Sequence, residues 1–299
     1  LVAIAAAAGI QIDWQDFSEL SGVVPQLSRV YPNGTADVNH FHAAGGLGFV
    51  ISDMLDNGLL HEDVHTILGP GLRHFCREPR VADGALRWSD VQGESLDDEI
   101  LRSCSTPFSP EGGLRLVTGN IGRAIVKVSA VDAAHHSIKA PALVFRSQQA
   151  FVDAFNSGEL ERDFVAVVTH QGPCANGMPE LHKLTPYLGV LQNRGFKVAL
   201  LTDGRMSGAS GKVLAAIQVT PEAVDGGLIA GIRDGDIVTI DAGSGELSVD
   251  SDALLEVQNA QKRDDAAQTG MGRELFAAFR ERATGAEQGA SLFGARGDR

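Results

Sequence analysis

The chain has 299 residues, 43% of them hydrophobic and 21% charged, with a formal net charge of −13. That composition is ordinary for a globular protein of one or two domains. The negative charge argues against a nucleic-acid or anionic-membrane partner, and an anionic small molecule would need a site with its own cations. No stretch approaches the ~20 apolar residues of a membrane span. The apolar start at 1–10 lacks the basic flank and the length of a signal peptide with its cleavage site.

In chain order, residues 1–100 read as mostly helical. The apolar spacing over 47–55 predicts a helix that ends before Asn57-Gly58, and 61–68 predicts a second, shorter one ahead of Gly69-Pro70-Gly71. The segment 77–100 is polar and reads as irregular, with a turn at Ala82-Asp83-Gly84. Linker chemistry at Ser105-Thr106-Pro107 and Ser109-Pro110 predicts a domain boundary between about 100 and 112. Beyond it, short β-rich runs are predicted at 114–117, 124–131, 142–145, 164–169, 198–202, 236–240 and 246–249, the last two joined by Gly243-Ser244-Gly245. Helices are expected at 148–156, 179–193, 221–230 and 273–283. The predicted class is α/β (α+β), with a mostly helical N-terminal segment followed by a β-barrel or sandwich carrying inserted helices.

Two strand-to-loop segments concentrate the chemistry. Asp203-Gly204-Arg205-Met206-Ser207-Gly208-Ala209-Ser210-Gly211 follows an apolar run and combines three glycines with two hydroxyls, a guanidinium and a carboxylate. Glycine lets such a loop turn sharply and approach a ligand, although a plain surface turn has the same composition. Gly172-Pro173-Cys174-Ala175-Asn176-Gly177-Met178-Pro179-Glu180 follows a valine-rich run. Here Pro179 is expected in the first turn of a helix, with Glu180 at its positive end.

The run 176–183, the segment 202–211 and Thr220-Pro221-Glu222-Ala223 together resemble the C-terminal signature of the dihydroxy-acid/6-phosphogluconate dehydratase family. The 6-phosphogluconate branch is the nearer match. It is carried by Val30-Tyr31-Pro32-Asn33-Gly34, Asp37-Val38-Asn39-His40-Phe41, His61-Glu62-Asp63-Val64, the segment 108–114 and Ala286-Glu287-Gln288-Gly289-Ala290-Ser291. The likeness runs from about residue 1 to residue 292. It implies that residues 1–105 are the remainder of an N-terminal cluster-binding domain and that 106–299 form a barrel of the aconitase-swivel kind. A start at Leu1, without methionine, leads us to expect the C-terminal part of a longer protein.

The activity implied is that of a hydro-lyase converting 6-phosphogluconate to 2-keto-3-deoxy-6-phosphogluconate in the Entner–Doudoroff pathway. Dehydration of a branched-chain dihydroxy acid or of an unphosphorylated sugar acid is the nearest alternative, and a non-catalytic swivel or binding domain the remote one. From residue type alone Ser207 competes with an ordinary turn-forming serine; the resemblance implies that it is the catalytic base, its alkoxide stabilised by nearby positive charge. Glu180 likewise matches the glutamate that reaches a Mg2+ ion, which suits carboxylate plus water ligation. Arg205, Lys183 and Ser210, with His40 from the first domain, are candidates for substrate contacts, and for each charged group a solvated surface position is the competing account. An iron–sulfur cluster, of the 4Fe-4S type, is implied with its ligands upstream of this chain. Cys76, Cys104 and Cys174 are scattered and read as free thiols of a reducing compartment. Cys174 and His170 depart from the family's usual basic and aromatic residues, which questions a ligand role for their side chains. The expected setting is a cytoplasmic homodimer acting on a phosphorylated sugar acid.

Overall fold

A computed structural model describes residues 1–91, 93–208, 210–250, 270 and 272–293. In chain order it contains helices α1 (Val2–Ala7), α2 (Trp14–Val23), α3 (Val38–Ala43) and α4 (Gly46–Asp56). Strands β1 (His65–Thr66), β2 (Gly69–Pro70), β3 (Arg77–Ala82), β4 (Ala85–Asp90), β5 (Leu114–Gly119), β6 (Gly122–Lys127) and β7 (Ser137–Phe145) follow. Then come α5 (Gln148–Asn156), β8 (Phe164–Val168), α6 (Pro173–Asn176), α7 (Leu184–Asn193), β9 (Val198–Thr202) and β10 (Ala215–Thr220). β11 (Ile237–Asp241), β12 (Glu246–Asp250) and α8 (Ala277–Arg282) complete the order. None of these helices is long and apolar enough to cross a membrane. The chain divides into two compact units, Leu20–Gly113 and a larger one made of Leu1–Glu19 with Leu114–Arg299.

In the smaller unit, Asp37 caps α3 by accepting the main-chain N–H groups of Asn39 and His40, a standard way to satisfy donors at a helix start. Leu27, Ala44, Phe49 and Leu101 form its buried core. The helix expected over 61–68 does not form. Thr66 Oγ1 donates to the Gly69 carbonyl and Gly69 and Gly71 take positive φ, so a side chain closes a turn and β1 pairs with β2 instead. The polar segment from 77 is a regular hairpin, β3 against β4. Its loop residues Asp83 and Gly84 both have positive φ, the geometry that matches strand twist. Both strands are mostly exposed, so no buried face marks them in the sequence.

The larger unit is a closed eight-stranded barrel in the order β10-β6-β5-β12-β11-β7-β8-β9. The β7–β8, β8–β9, β9–β10 and β5–β12 pairs are parallel, and the β5–β6, β6–β10, β7–β11 and β11–β12 pairs are antiparallel. Alternation decides which side chains fill it: Val117, Val126, Val165, Val167, Leu201, Ile240 and Leu247 point into one core. On β8 and β9 the intervening residues Phe164, Ala166, Val168, Val198 and Leu200 are also buried, under Phe151 of α5 and Leu184, Leu188 and Leu191 of α7. Strands covered on both faces read as continuous apolar runs. Each such large side chain contributes about 1.5–3 kcal/mol on burial.

Three further expectations are corrected here. β10 is a strand with no counterpart among the expected ones, because its ladder is interrupted between Ile217 and Thr220, where Gln218 has positive φ. α7 starts at Leu184, not at Pro179; Leu181 N–H donates to the Arg205 carbonyl, which holds 179–181 out of a helix. The first-turn proline of that helix is therefore Pro186. The helix expected over 221–230 is two 3-10 turns, Ala223–Asp225 and Leu228–Gly231, separated by Gly226-Gly227, where a side chain on Gly227 would meet the Pro221 carbonyl.

Candidate active site

Two loops leave the C-terminal ends of the adjacent parallel strands β8 and β9, the side of such sheets on which ligands commonly bind. The first spans 169–183 and the second 203–214. They are joined directly: Glu180 and Arg205 form a parallel bridge, and Arg205 Nε donates to the Met178 carbonyl at 3.0 Å. Glu180 and Ser207 are thus carried by adjoining segments, with Arg205 between them. Three residues with side chains adopt positive φ around these loops, namely His170, Met178 and Gln218. Such backbone geometry is unfavourable without surrounding support and concentrates at functional sites.

The support comes from two buried carboxylates. Asp203 is 0% exposed, and it accepts the main-chain N–H groups of His170, Gln171 and Ala223 at 3.1, 2.9 and 3.0 Å. Burial pushes its carboxyl up, while those N–H groups and His170 pull in the opposite direction. Glu222 accepts from Cys174 N–H at 2.9 Å and from Ala175 N–H at 3.1 Å, capping α6. Burial raises its carboxyl as well. Burial lowers His170, whose Nδ1 lies 2.9 Å from Thr169 Oγ1.

The sequence candidates occupy distinct places. Ser207 is half-buried, and its carbonyl accepts the Ser210 N–H at 3.0 Å. Ser210 Oγ lies 3.0 Å from Thr185 Oγ1, tying the loop to α7. Lys183 is exposed, and its main-chain N–H donates to Gln148. Arg205 is exposed apart from its bond to Met178. His40 belongs to the other compact unit, where its Nδ1 lies 2.8 Å from Asp37 Oδ1 in the cap of α3. Sequence reasoning missed Lys127 on β6, whose Nζ donates to the Gly208 carbonyl at 2.9 Å. It also missed Arg273, which reaches Asn176 Oδ1 and the Ala175 carbonyl. Both lie far in sequence from the loops they touch. Arg273 borders a cleft of about 460 Å³ lined also by Met178, Phe276 and Phe279.

The donor sets bear on metals. Among the described residues none donates to the Glu180 carboxylate, which leaves its oxygens available to a hard cation. The thiols do not suit a cluster. Burial, a hydrogen bond with Asp53 and its charge push Cys104 up to about 12, and burial raises Cys76. Cys174 Sγ donates to the Ala283 carbonyl at 3.2 Å. Its ligand atom lies within 4.8 Å of those of Glu222 and Asp225, but Glu222 already spends both oxygens on capping α6.

A closed barrel bearing paired glycine-rich loops with a serine and a carboxylate agrees with the family comparison: the chain belongs to the dihydroxy-acid/6-phosphogluconate dehydratase family. Residues 99–290 match the model of its C-terminal region and residues 1–75 that of its N-terminal region. The chain is 59% identical over 294 residues to a phosphogluconate dehydratase of Pseudomonas aeruginosa, covering 98% of this chain and 48% of that protein. It is 55% identical to the phosphogluconate dehydratase of Escherichia coli K12, covering 97% of this chain and 49% of the relative. A dihydroxy-acid dehydratase of Sulfurisphaera tokodaii is 34% identical, over 89% of this chain and 44% of its own. The chain therefore spans about half the length of the curated relatives it matches.

Proposed function

We propose that this chain is the C-terminal part of a hydro-lyase that dehydrates 6-phosphogluconate to 2-keto-3-deoxy-6-phosphogluconate, as in the Entner–Doudoroff pathway. The observation that carries the reading is the bridge between the Glu180 and Arg205 segments, which sets the Ser207 loop beside the only one of the two loops with an unspent carboxylate among its described residues. The identity to phosphogluconate dehydratases, well above that to the dihydroxy-acid dehydratase, supports the phosphorylated substrate.

In this reading the Ser207 oxygen takes the C2 proton as hydroxide leaves C3, and the resulting enol tautomerises to the 2-keto acid. Proton transfer requires Ser207 within hydrogen-bond reach of that proton. Glu180 would hold Mg2+, and an iron–sulfur cluster would take its ligands from outside these residues; when bound, the two would supply Lewis acidity for the departing hydroxide and the substrate oxyanions. Arg205, Ser210 and Lys183 orient the substrate, and His40 is a further candidate for substrate contact. Asp203 and Glu222 hold the loops in place and do no chemistry. The barrel acts as a swivel-type domain of a cytoplasmic homodimer, with residues 1–105 completing the cluster-binding domain.

The test compares 6-phosphogluconate, gluconate and 2,3-dihydroxyisovalerate side by side with the cluster-loaded full-length protein. The reading expects the highest kcat/KM for 6-phosphogluconate. A better rate with either of the others rejects that substrate and leaves the family assignment standing.

A further inference from the structure

The last residue of β6 stands out because nothing in the proposed chemistry uses it. Along β6, Ala124 and Val126 point into the barrel core, so Arg123, Ile125 and Lys127 share the opposite face. Ile125, together with Leu114, the register partner of Lys127, lines a cavity of about 350 Å³. Met178 and Gln218, both at positive φ, line the same cavity. The Lys127 side chain is half-buried and reaches Gly208, the residue after Ser207, donating to its carbonyl at 2.9 Å.

Burial lowers the proton affinity of Lys127, and among the described residues no carboxylate offsets it. A partly desolvated ammonium with no counter-charge is unfavourable. A neutral side chain would pack there at lower cost. An ammonium also carries three donors, and the Gly208 carbonyl takes one. The cation thus stands beside the Ser207 loop of a protein whose net charge is −13, where an anionic ligand has most need of one.

We infer that Lys127 is an anion-binding residue of this site, holding an oxyanion of the substrate, carboxylate or phosphate, against the Ser207–Gly208 segment. The inference rests on the proposal that this loop carries the chemistry.

The experiment uses the full-length protein with Lys127→Gln, Lys127→Met and Lys127→Arg, alone and in a Ser207→Ala background. Lys127→Gln keeps a donor for Gly208 without the charge, and Lys127→Arg keeps the charge. Loss of one charge-assisted hydrogen bond should raise KM for 6-phosphogluconate roughly tenfold or more in the Gln and Met variants, with Arg retaining most of the affinity. Calorimetric titration of 6-phosphogluconate into Ser207→Ala with and without Lys127→Gln should give a dissociation constant weakened by a similar factor. An equal loss with gluconate assigns the carboxylate, whereas a loss confined to 6-phosphogluconate assigns the phosphate; either supports the inference. Gln matching wild type in KM and in the titration would reduce Lys127 to a brace for the loop and overturn it. If Ser207→Ala itself turns over normally, the base assignment fails, and the titration still judges Lys127. If the Met variant does not fold, the Gln and Arg pair decides.

Discussion

Asp203 Oδ1 accepts the main-chain N–H of Gln171 at 2.9 Å, across the gap between the ends of β9 and β8. Its other oxygen serves His170 and Ala223, so one side chain fixes three segments. Asp203→Ala would leave three N–H groups without this partner, those of Gln171 and Ala223 buried and that of His170 half-buried, and each costs on the order of 1–3 kcal/mol. The expected outcome is a loss of at least about 3 kcal/mol, read by urea unfolding, with activity lost alongside. A variant within about 1 kcal/mol of wild type would show that water replaces the carboxylate.

Gly172 is required by the approach of Glu222. A Cβ there would sit 2.7 Å from Glu222 Cδ and closer still to Oε2. Gly172→Ala must therefore displace the carboxylate that caps α6, for a cost of about 1–3 kcal/mol from overpacking. Thermal unfolding should register it. Gly177→Ala makes a useful contrast, because a Cβ at Gly177 meets nothing and only its φ of +68° resists the change.

Ser207→Ala should abolish turnover in the full-length protein while moving stability by less than about 1 kcal/mol. The residue is half-buried on a glycine-rich loop, so removing a hydroxyl disturbs little packing. Rate and unfolding midpoint measured on the same preparation separate the two effects. Near-normal turnover would remove Ser207 from the base role.

Cys104 offers a pH test. The thiolate is the reactive form, and with its titration pushed up to about 12 only roughly one part in ten thousand is ionised at pH 8. An unperturbed thiol, ionising near 8.5, is about one quarter ionised there. Alkylation of Cys104 in the native protein should therefore be roughly a thousandfold slower than that of a model thiol at pH 8, and should keep rising with pH past 10. Mass spectrometry of iodoacetamide-treated protein gives the rate. Asp53→Asn, which removes a neighbouring negative charge, should raise it.

Much was legible from the residues themselves. The apolar runs of β8 and β9 are strands in any environment that buries both faces, and the glycines that follow them mark the loops at their ends. Ser147 before 148–156 is an ordinary helix cap, its Oγ accepting the Ala150 N–H; that helix has the expected bounds. Motif order was enough to point to the dehydratase family. What the residues alone could not convey was long-range pairing. The non-helical form of 179–181 depends on the Arg205 carbonyl taking a hydrogen bond from Leu181, so local helix signals around Pro179 lost to a partner 24 positions away. β10 is a strand because β6 and β9 flank it, despite a ladder broken near Gln218. Lys127 joins the Ser207 loop only through barrel closure, which brings the end of β6 to Gly208 across 81 residues of chain. Composition and short motifs decide local chemistry because they act within a few residues. Which distant groups share a site depends on strand order and register, and these exist only once the barrel has closed.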